Sequence, residues 1–329
     1  MNLRYVVPLL LLAFCQSLSA QDESNKPFVP EPLLPGGKVL SLYPPDSPRL
    51  NRDRIHEAEK YNTKGKSDRT LNVINIHNPS IEVHLAGDEP PNTGAAVIIA
   101  PGGGHQILWV GPEGSDFVPF FKKHGVSTIV LRNRLRIDGY EPTKDAVDDA
   151  FQAIRLVRSH AAEWKLDPAK IGIMGFSAGA ELSAPTPLFF EDFQRNNRSG
   201  PLGTVSARPD FVGVIYPGPT PFTRDAATPI PANVPPSFIA SAGSGDKVHA
   251  LWATDYFHAM LKAGVPNLEM HIYGNGGHGG GLTARGGIPF GTWTDRYIDW
   301  FKDLGFLGPP GQPTKAAADV EAYAKKAAK

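Results

Sequence analysis

The sequence predicts an α/β fold built on a mostly parallel sheet, and two observations lead to this prediction. Apolar runs of strand length, among them residues 95–100, 126–131 and 171–174, are separated by stretches with helical spacing. Between residues 143 and 164 the apolar side chains recur in steps of three and four, which is typical of an amphipathic helix packed on a sheet. Buried strands that alternate with such helices form mostly parallel sheets with helices on both faces.

The predicted domain occupies residues 70–308, and its elements follow one another in chain order. Residues 70–76 and 81–85 alternate as strands do, and the turn signal between them predicts a hairpin. Residues 185–209 interrupt the strand–helix pattern, and we expect them to form an excursion above the C-terminal edge of the sheet. Further strands are predicted at 211–216, 238–242 and 268–273, and further helices at 113–124, 248–263 and 292–304.

The two ends of the chain differ from this domain in composition. Residues 1–20 have a short positive start, an apolar core and small residues before a cleavage point near Ala20, which is the pattern of a signal peptide. The apolar run is too short for a stable membrane span, so we expect a secreted or periplasmic protein. Residues 21–69 are rich in proline and charge and predict an extended lead-in, whereas the Ala/Lys-rich residues 309–329 predict a short surface helix.

Composition narrows the choice of partners and cofactors. The chain has 33 Lys and Arg residues against 33 Asp and Glu residues, and this balance gives no reason to expect nucleic acid as a partner. The one cysteine, Cys15, lies in the predicted signal peptide, so the mature chain should carry no thiol chemistry. No His, Cys or carboxylate cluster stands at metal-ligand spacing, and we therefore expect neither a metal nor an organic cofactor.

The most informative motif is Gly175-Phe176-Ser177-Ala178-Gly179, which directly follows the apolar run at residues 171–174. A tight strand-to-helix turn exposes a serine hydroxyl, and flanking glycines leave room for the strained backbone. A helix opening at Ala178 would point free N–H groups at negative charge that forms beside the serine. The alternative is a small-residue turn that carries Ser177 by chance.

Two further side chains complete a candidate catalytic set. His278 lies in a glycine-rich loop after the strand predicted at 268–273, and Asp246 follows the strand predicted at 238–242. A histidine can act as the base for a serine, and a carboxylate can orient that histidine. The alternatives are a surface-loop histidine and an aspartate that only caps the next helix. Asp225 and Asp255 are weaker candidates for the acid, because neither follows a strand so closely.

Donors for an oxyanion are predicted on two loops. One is the backbone N–H of Ala178, and the other belongs to Gly103 or Gly104, just after the strand at 95–100. The chain order of serine, aspartate and histidine, with the glycine loop upstream, is that of α/β-hydrolases. The C-terminal edge of a parallel sheet, where all four elements should lie, is where such folds place their sites.

At these residues the chain resembles the acetyl esterase/lipase superfamily of α/β-hydrolases, and more narrowly the secreted bacterial acetylxylan and acetyl/feruloyl esterases. The resemblance spans residues 70–307 and implies that Ser177, Asp246 and His278 form a triad, with Gly103 or Gly104 and Ala178 as the oxyanion hole. The implied partner is a small ester or an acylated polysaccharide. The matching pieces include Pro101–His105, Glu113-Gly114, Gly175–Gly179, Gly245-Asp246 and Gly277–Gly279.

The chain departs from the family pattern in two places. Pro101 stands where lipase-like relatives have histidine before the glycine loop, which favours short acyl groups. Glu181 replaces the histidine that often follows the serine motif, and it either changes the polarity of the pocket floor or lies on the helix flank.

Three functions are therefore open. A serine esterase working through an acyl-enzyme is the first. An exopeptidase of the prolyl-oligopeptidase type would use the same triad, but such enzymes usually carry a large N-terminal domain and residues 21–69 are too few for one. A non-catalytic binding module with a hydrolase-like fold is the third.

Overall fold

The computed structural model describes residues 26–64, 69–282 and 287–327. The predicted signal peptide, residues 1–20, lies outside the described residues. Ten strands are present in this part of the chain, namely β1 Lys38–Ser41, β2 Lys60–Lys64, β3 Arg69–Ile74, β4 Ser80–His84, β5 Ala96–Ala100, β6 Ser127–Arg132, β7 Ile171–Phe176, β8 Val212–Ile215, β9 Ser237–Ala242 and β10 Glu269–Tyr273.

Eight of these strands form one sheet in the order β1-β4-β6-β5-β7-β8-β9-β10. The six strands from β6 to β10 pair in parallel, whereas β4 pairs antiparallel with β6 on one side and with β1 on the other. The prediction of a mostly parallel central sheet is confirmed. Its consequence for function is that β5, β7, β9 and β10 all end at the same edge.

Helices cover both faces of the sheet, as predicted. The α-helices of the described residues are α1 Phe117–Lys122, α2 Val147–Ser159, α3 Ala178–Ser183, α4 Thr186–Asn196, α5 Pro221–Arg224, α6 Lys247–Lys262, α7 Trp293–Asp303 and α8 Lys315–Ala327. Neighbouring residues of β5 point to opposite faces: Ile98 packs on one face with α2 and α6, and Ile99 on the other with α1 and α7. None of the helices described is long and apolar enough to cross a membrane.

The predicted hairpin of residues 70–76 and 81–85 is wrong. Strand β3 pairs with β2 in a separate two-stranded sheet, and β4 joins the main sheet. The side chain of Asp138 accepts hydrogen bonds from the backbone of Asn75 (3.1 Å) and Ile76 (2.9 Å), and Asn75 has a φ of 65°. These contacts turn the chain away from β3 before the next strand begins, because they occupy backbone groups that a hairpin would pair.

The segment predicted as an excursion, residues 185–209, contains helix α4. Phe193 of α4 stacks on Phe151 of α2 with ring centroids 4.7 Å apart. The helix is therefore packed against the layer that covers one face of the sheet.

The proline-rich N-terminal segment is more closely integrated than its composition indicates. Its residues 38–41 form β1, which closes one edge of the main sheet. The backbone N–H of Leu33 donates to the fully buried carboxylate of Glu82 (2.7 Å), which also accepts from buried Arg132 (2.7 Å). The backbone carbonyl of Glu31 accepts a second bond from Arg132 (3.0 Å). The segment thus supplies partners for an ion pair that lies inside the fold.

Candidate active site

Ser177 occupies the sharp turn between β7 and α3. Its φ and ψ are 52° and −119°, a backbone conformation that residues other than glycine rarely adopt. The backbone is held there from both sides, since Ser177 N donates to Ile215 O (3.0 Å) and Ser177 O accepts from Gly218 N (3.1 Å). The strained turn projects the serine hydroxyl beyond the edge of the sheet.

The turn requires glycine at two positions of the motif, because a side chain at either one would collide with the backbone. A Cβ atom on Gly175 would lie 2.1 Å from the carbonyl oxygen of Gly179. One on Gly179 would lie 1.9 Å from the carbonyl oxygen of Ala100, at the end of the neighbouring strand. The helix after the serine can therefore approach the sheet closely only with glycine at both positions.

The structure brings together the three side chains that the sequence singled out. Ser177 Oγ lies 2.8 Å from His278 Nε2, and His278 Nδ1 lies 2.8 Å from Asp246 Oδ2. The Asp246 side chain is 4% exposed and that of His278 is 35% exposed, so the carboxylate is shielded while the imidazole faces solvent. Asp255 accepts a hydrogen bond from Thr223 (3.3 Å), and the side chain of Asp225 accepts one from Ala227 N (2.9 Å).

A second imidazole, which the sequence analysis missed, lies against the first. His249 in the first turn of α6 hydrogen-bonds through Nδ1 to Oδ1 of Asp246, the oxygen that His278 leaves free. The rings of His249 and His278 stack with centroids 3.8 Å apart. Burial, and then the neighbouring His278, hold the pKa of His249 below its usual range. The spacing Asp246-x-x-His249 at a helix start is a signal that could have revealed it.

The glycine loop after β5 holds one of its three N–H groups in an internal hydrogen bond. The N–H of Gly102 donates to Oε2 of buried Glu113 (2.8 Å), which leaves Gly103 and Gly104 as the predicted donors on this loop. Gly103 has a φ of 132°, and a Cβ atom there would lie 2.0 Å from Ile107 O. Ala178 is the first residue of α3, where a backbone N–H has no partner within its helix.

Glu113 also ties this loop to the histidine loop. Its Oε1 accepts from the hydroxyl of Tyr216 (2.9 Å), and that hydroxyl accepts from Gly281 N (3.1 Å). The ring of Tyr216 meets His278 edge to face, with centroids 5.2 Å apart. One buried carboxylate and one tyrosine therefore fix the spacing between the two loops.

Glu181 is buried beside the serine turn. Its carboxylate accepts from His105 Nε2 (3.0 Å) and from the guanidinium of Arg224. Burial raises the pKa of Glu181, but the hydrogen bond from His105 and the charges of His105 and Arg224 outweigh it, so the net pKa is lowered. The carboxylate thus links helix α3 to His105, the residue after the glycine loop, and to Arg224 of α5.

The arrangement can perform acyl transfer. A hydroxyl, an imidazole and a carboxylate stand in line, and the predicted oxyanion donors follow strands β5 and β7, which end at the same edge of the sheet. The same residues offer a second possibility that the sequence did not indicate: Asp246, His249 and His278 each present a ligand atom, and these atoms lie within 4.8 Å of one another.

Sheet order, helix layers and strand-end site together define an α/β-hydrolase fold, and solved structures bear this out. The chain is similar to an acetyl ester-xyloside bifunctional hydrolase from Caldicellulosiruptor lactoaceticus, with 26% identity and a TM-score of 0.62. The match covers 70% of this chain and 90% of that one.

Within this fold the chain resembles acetylxylan esterases. The BD-FAE family model matches residues 115–208. The acetylxylan esterase of Xylanibacter ruminicola is 30% identical over 230 residues, covering 65% of this chain and 45% of the relative. Endo-1,4-beta-xylanase B of Butyrivibrio fibrisolvens is 27% identical over 200 residues, covering 60% of this chain and 29% of the relative. The chain thus spans less than half the length of these two relatives.

Proposed function

We propose that the protein is a serine carboxylic-ester hydrolase that removes short acyl groups, acetyl above all, from a plant polysaccharide such as xylan. The observation that carries the proposal is the line of two 2.8 Å contacts from Ser177 Oγ through His278 to Asp246. The resemblance to an acetylxylan esterase supports the substrate class.

In the proposed reaction, Ser177 attacks the ester carbonyl and His278 Nε2 takes the hydroxyl proton. Asp246 holds Nδ1–H of the imidazole and stabilises its charged form. The N–H of Ala178 and that of Gly103 or Gly104 bind the oxyanion. The same proton then passes to the leaving alcohol, and water activated by His278 releases the acid from the acyl-enzyme.

An open groove among helices α2, α4 and α5 supports a polymeric substrate. It has a volume of about 710 Å³ and its lining includes Phe189, Asn196 and Arg224, whereas Ser177, Asp246 and His278 do not line it. Because Arg224 contacts Glu181 of the helix that follows Ser177, we propose that a polysaccharide bound at the serine turn extends toward this groove. A polymeric substrate also fits the secreted or periplasmic location expected from residues 1–20.

The mechanism is tested with purified Ser177→Ala. Hydrolysis of p-nitrophenyl acetate should fall by about 10⁴-fold or more, and a fluorophosphonate probe should label the wild-type chain at Ser177 only. Retention of most activity by the variant would refute the mechanism, and failure of the wild type to label would favour a binding module.

The substrate class is tested on one wild-type preparation. Release of acetate from acetylated xylan should exceed release of ferulate from feruloylated xylan, and long-chain esters and peptides should be poor substrates. Faster cleavage of peptides than of acetyl esters would favour the exopeptidase.

A further inference from the structure

The base of the proposed mechanism has an unusual neighbour. His249 is not needed for acyl transfer, yet its ring lies 3.8 Å from that of His278 and both Nδ1 atoms converge on one carboxylate. We propose that Asp246, His249 and His278 form a binding site for Zn²⁺ or a similar borderline divalent ion, and that the bound ion disables His278 as a base.

The donor set and its exposure suit such an ion. Two imidazole nitrogens and one carboxylate oxygen are ligands of Zn²⁺, and a fourth position can be taken by water. The side chains of His249 and His278 are 20% and 35% exposed, so an ion in solution can reach them. Mg²⁺ and Ca²⁺ prefer all-oxygen sites and should not compete.

The three donor atoms must draw together, and the stacked rings must tilt apart, before they can share one ion. The atoms lie within 4.8 Å of one another, and bonds of about 2.0–2.1 Å in a tetrahedron require about 3.4 Å between ligand atoms. The ring planes of His249 and His278 now differ by only 23°, so one imidazole has to rotate for both lone pairs to meet at the ion. Asp246 and His249 lie at the start of helix α6. His278 stands between Gly277 and Gly279, and a Cβ atom on either glycine would meet nothing within 4 Å, so this loop has room to close.

The effect on His278 follows from which of its two ring nitrogens carries the hydrogen. In the active arrangement the neutral imidazole of His278 carries its hydrogen on Nδ1 and its lone pair on Nε2, which faces Ser177. An ion that binds Nδ1 takes the lone pair there, and the hydrogen moves through solvent to Nε2. His249 undergoes the same exchange, so no net proton is lost. Nε2 of His278 then donates and cannot accept the serine proton.

The binding step is tested without relying on activity. We would measure Zn²⁺ binding to Ser177→Ala by competition with a chromophoric chelator and then add second substitutions. The parent should bind one Zn²⁺ per chain, His249→Ala should weaken binding by about tenfold or more, and Mg²⁺ should not displace the ion. The matched control is His258→Ala, which removes an exposed histidine from the same helix and should leave affinity unchanged.

A second variant covers the case in which His249→Ala does not fold, as judged by circular dichroism. His278→Ala alters an exposed loop residue and should lose Zn²⁺ affinity to the same extent. Absence of stoichiometric binding by the parent up to millimolar Zn²⁺, or an affinity equal to the parent's in every variant that folds, would overturn the site.

Inhibition is the part of the proposal that rests on the proposed function. Zn²⁺ should abolish ester hydrolysis by the wild type and EDTA should restore it. The Zn²⁺ concentration that halves the rate should match the dissociation constant measured by chelator competition. Binding by a wild type that hydrolyses no ester would leave the ion site standing and remove the esterase proposal. Binding with undiminished hydrolysis would overturn the claimed effect on His278.

Discussion

The serine side and the histidine side of the site are built in different ways. Every residue of β7 is buried, and the turn at Ser177 is enforced by backbone atoms that leave no space at Gly175 or Gly179. His278 lies in an exposed loop and is positioned by three side chains, Asp246 and His249 at the start of α6 and Tyr216 just after β8. Placement of Ser177 is thus a property of core packing, whereas placement of His278 depends on a few polar and aromatic contacts.

The largest expected effect joins the two sides. Because Ser177 and His278 would act as one unit, His278→Ala should reduce kcat by about 10⁴-fold or more, as Ser177→Ala does, and the double variant should be no worse than either. Single-turnover kinetics with p-nitrophenyl acetate measure this. Losses that multiply in the double variant would contradict a shared proton transfer.

Adding one methyl group should distinguish the two sides by stability. Gly179→Ala would place its Cβ 1.9 Å from Ala100 O, so we expect a loss of about 3 kcal/mol or more in the free energy of unfolding. Gly277→Ala, the matched change in the histidine loop, meets nothing within 4 Å and should cost less than about 1 kcal/mol. Chemical denaturation of the two variants measures the difference. Equal losses would contradict the conclusion that the serine turn is more tightly packed than the histidine loop.

The link between the sides should affect rate more than binding. In Glu113→Gln an amide replaces one of the two carboxylate oxygens that accept from Gly102 and Tyr216, which loosens the oxyanion loop. We expect kcat to fall by roughly 10- to 100-fold while KM changes little. Tyr216→Phe keeps the ring against His278 and should lose only a few-fold. A change confined to KM, or to thermal stability, would show that Glu113 has only a structural role.

The smallest effect concerns the polar contact on the serine side. The pKa of Glu181 is lowered in the folded state, so its charged form contributes stability above the unfolded value of about 4.3, and this contribution is lost as the pH falls through the folded pKa. Glu181→Gln should therefore be less stable by about 1–2 kcal/mol at pH 7 and equal to wild type in strong acid. Unfolding curves from pH 7 to pH 3 test this, and a constant difference would exclude the ionic origin.

The sequence pattern was sufficient to predict the central strands and the long helices that cover them. Continuous apolar runs marked β5, β7 and β9, and helical spacing marked α2 and α6, to within a few residues. The residues brought together at the sheet edge were also predictable, because each candidate follows a strand and parallel strands end at one edge.

The remaining features depend on contacts between distant parts of the chain. Nothing near residues 70–85 indicates that Asp138 redirects the chain after β3. Strand β1 has only four residues and lies in a proline-rich segment, so its sequence does not identify it as a strand. His249, Tyr216 and Glu113 serve the site through partners up to 103 residues away in sequence, as for the Tyr216–Glu113 hydrogen bond. Spacing along one chain does not report such pairings.

The bracing of Glu82 and Arg132 by the backbone around Leu33 has a practical consequence for anyone who trims this protein. A version starting at residue 70 would lack β1, so the backbone edge of β4 would be unpaired. The buried Glu82–Arg132 ion pair would also lose its hydrogen bonds to the backbone at residues 31 and 33, so we expect this version to aggregate. Purification tags and fused modules are therefore best attached ahead of residue 26.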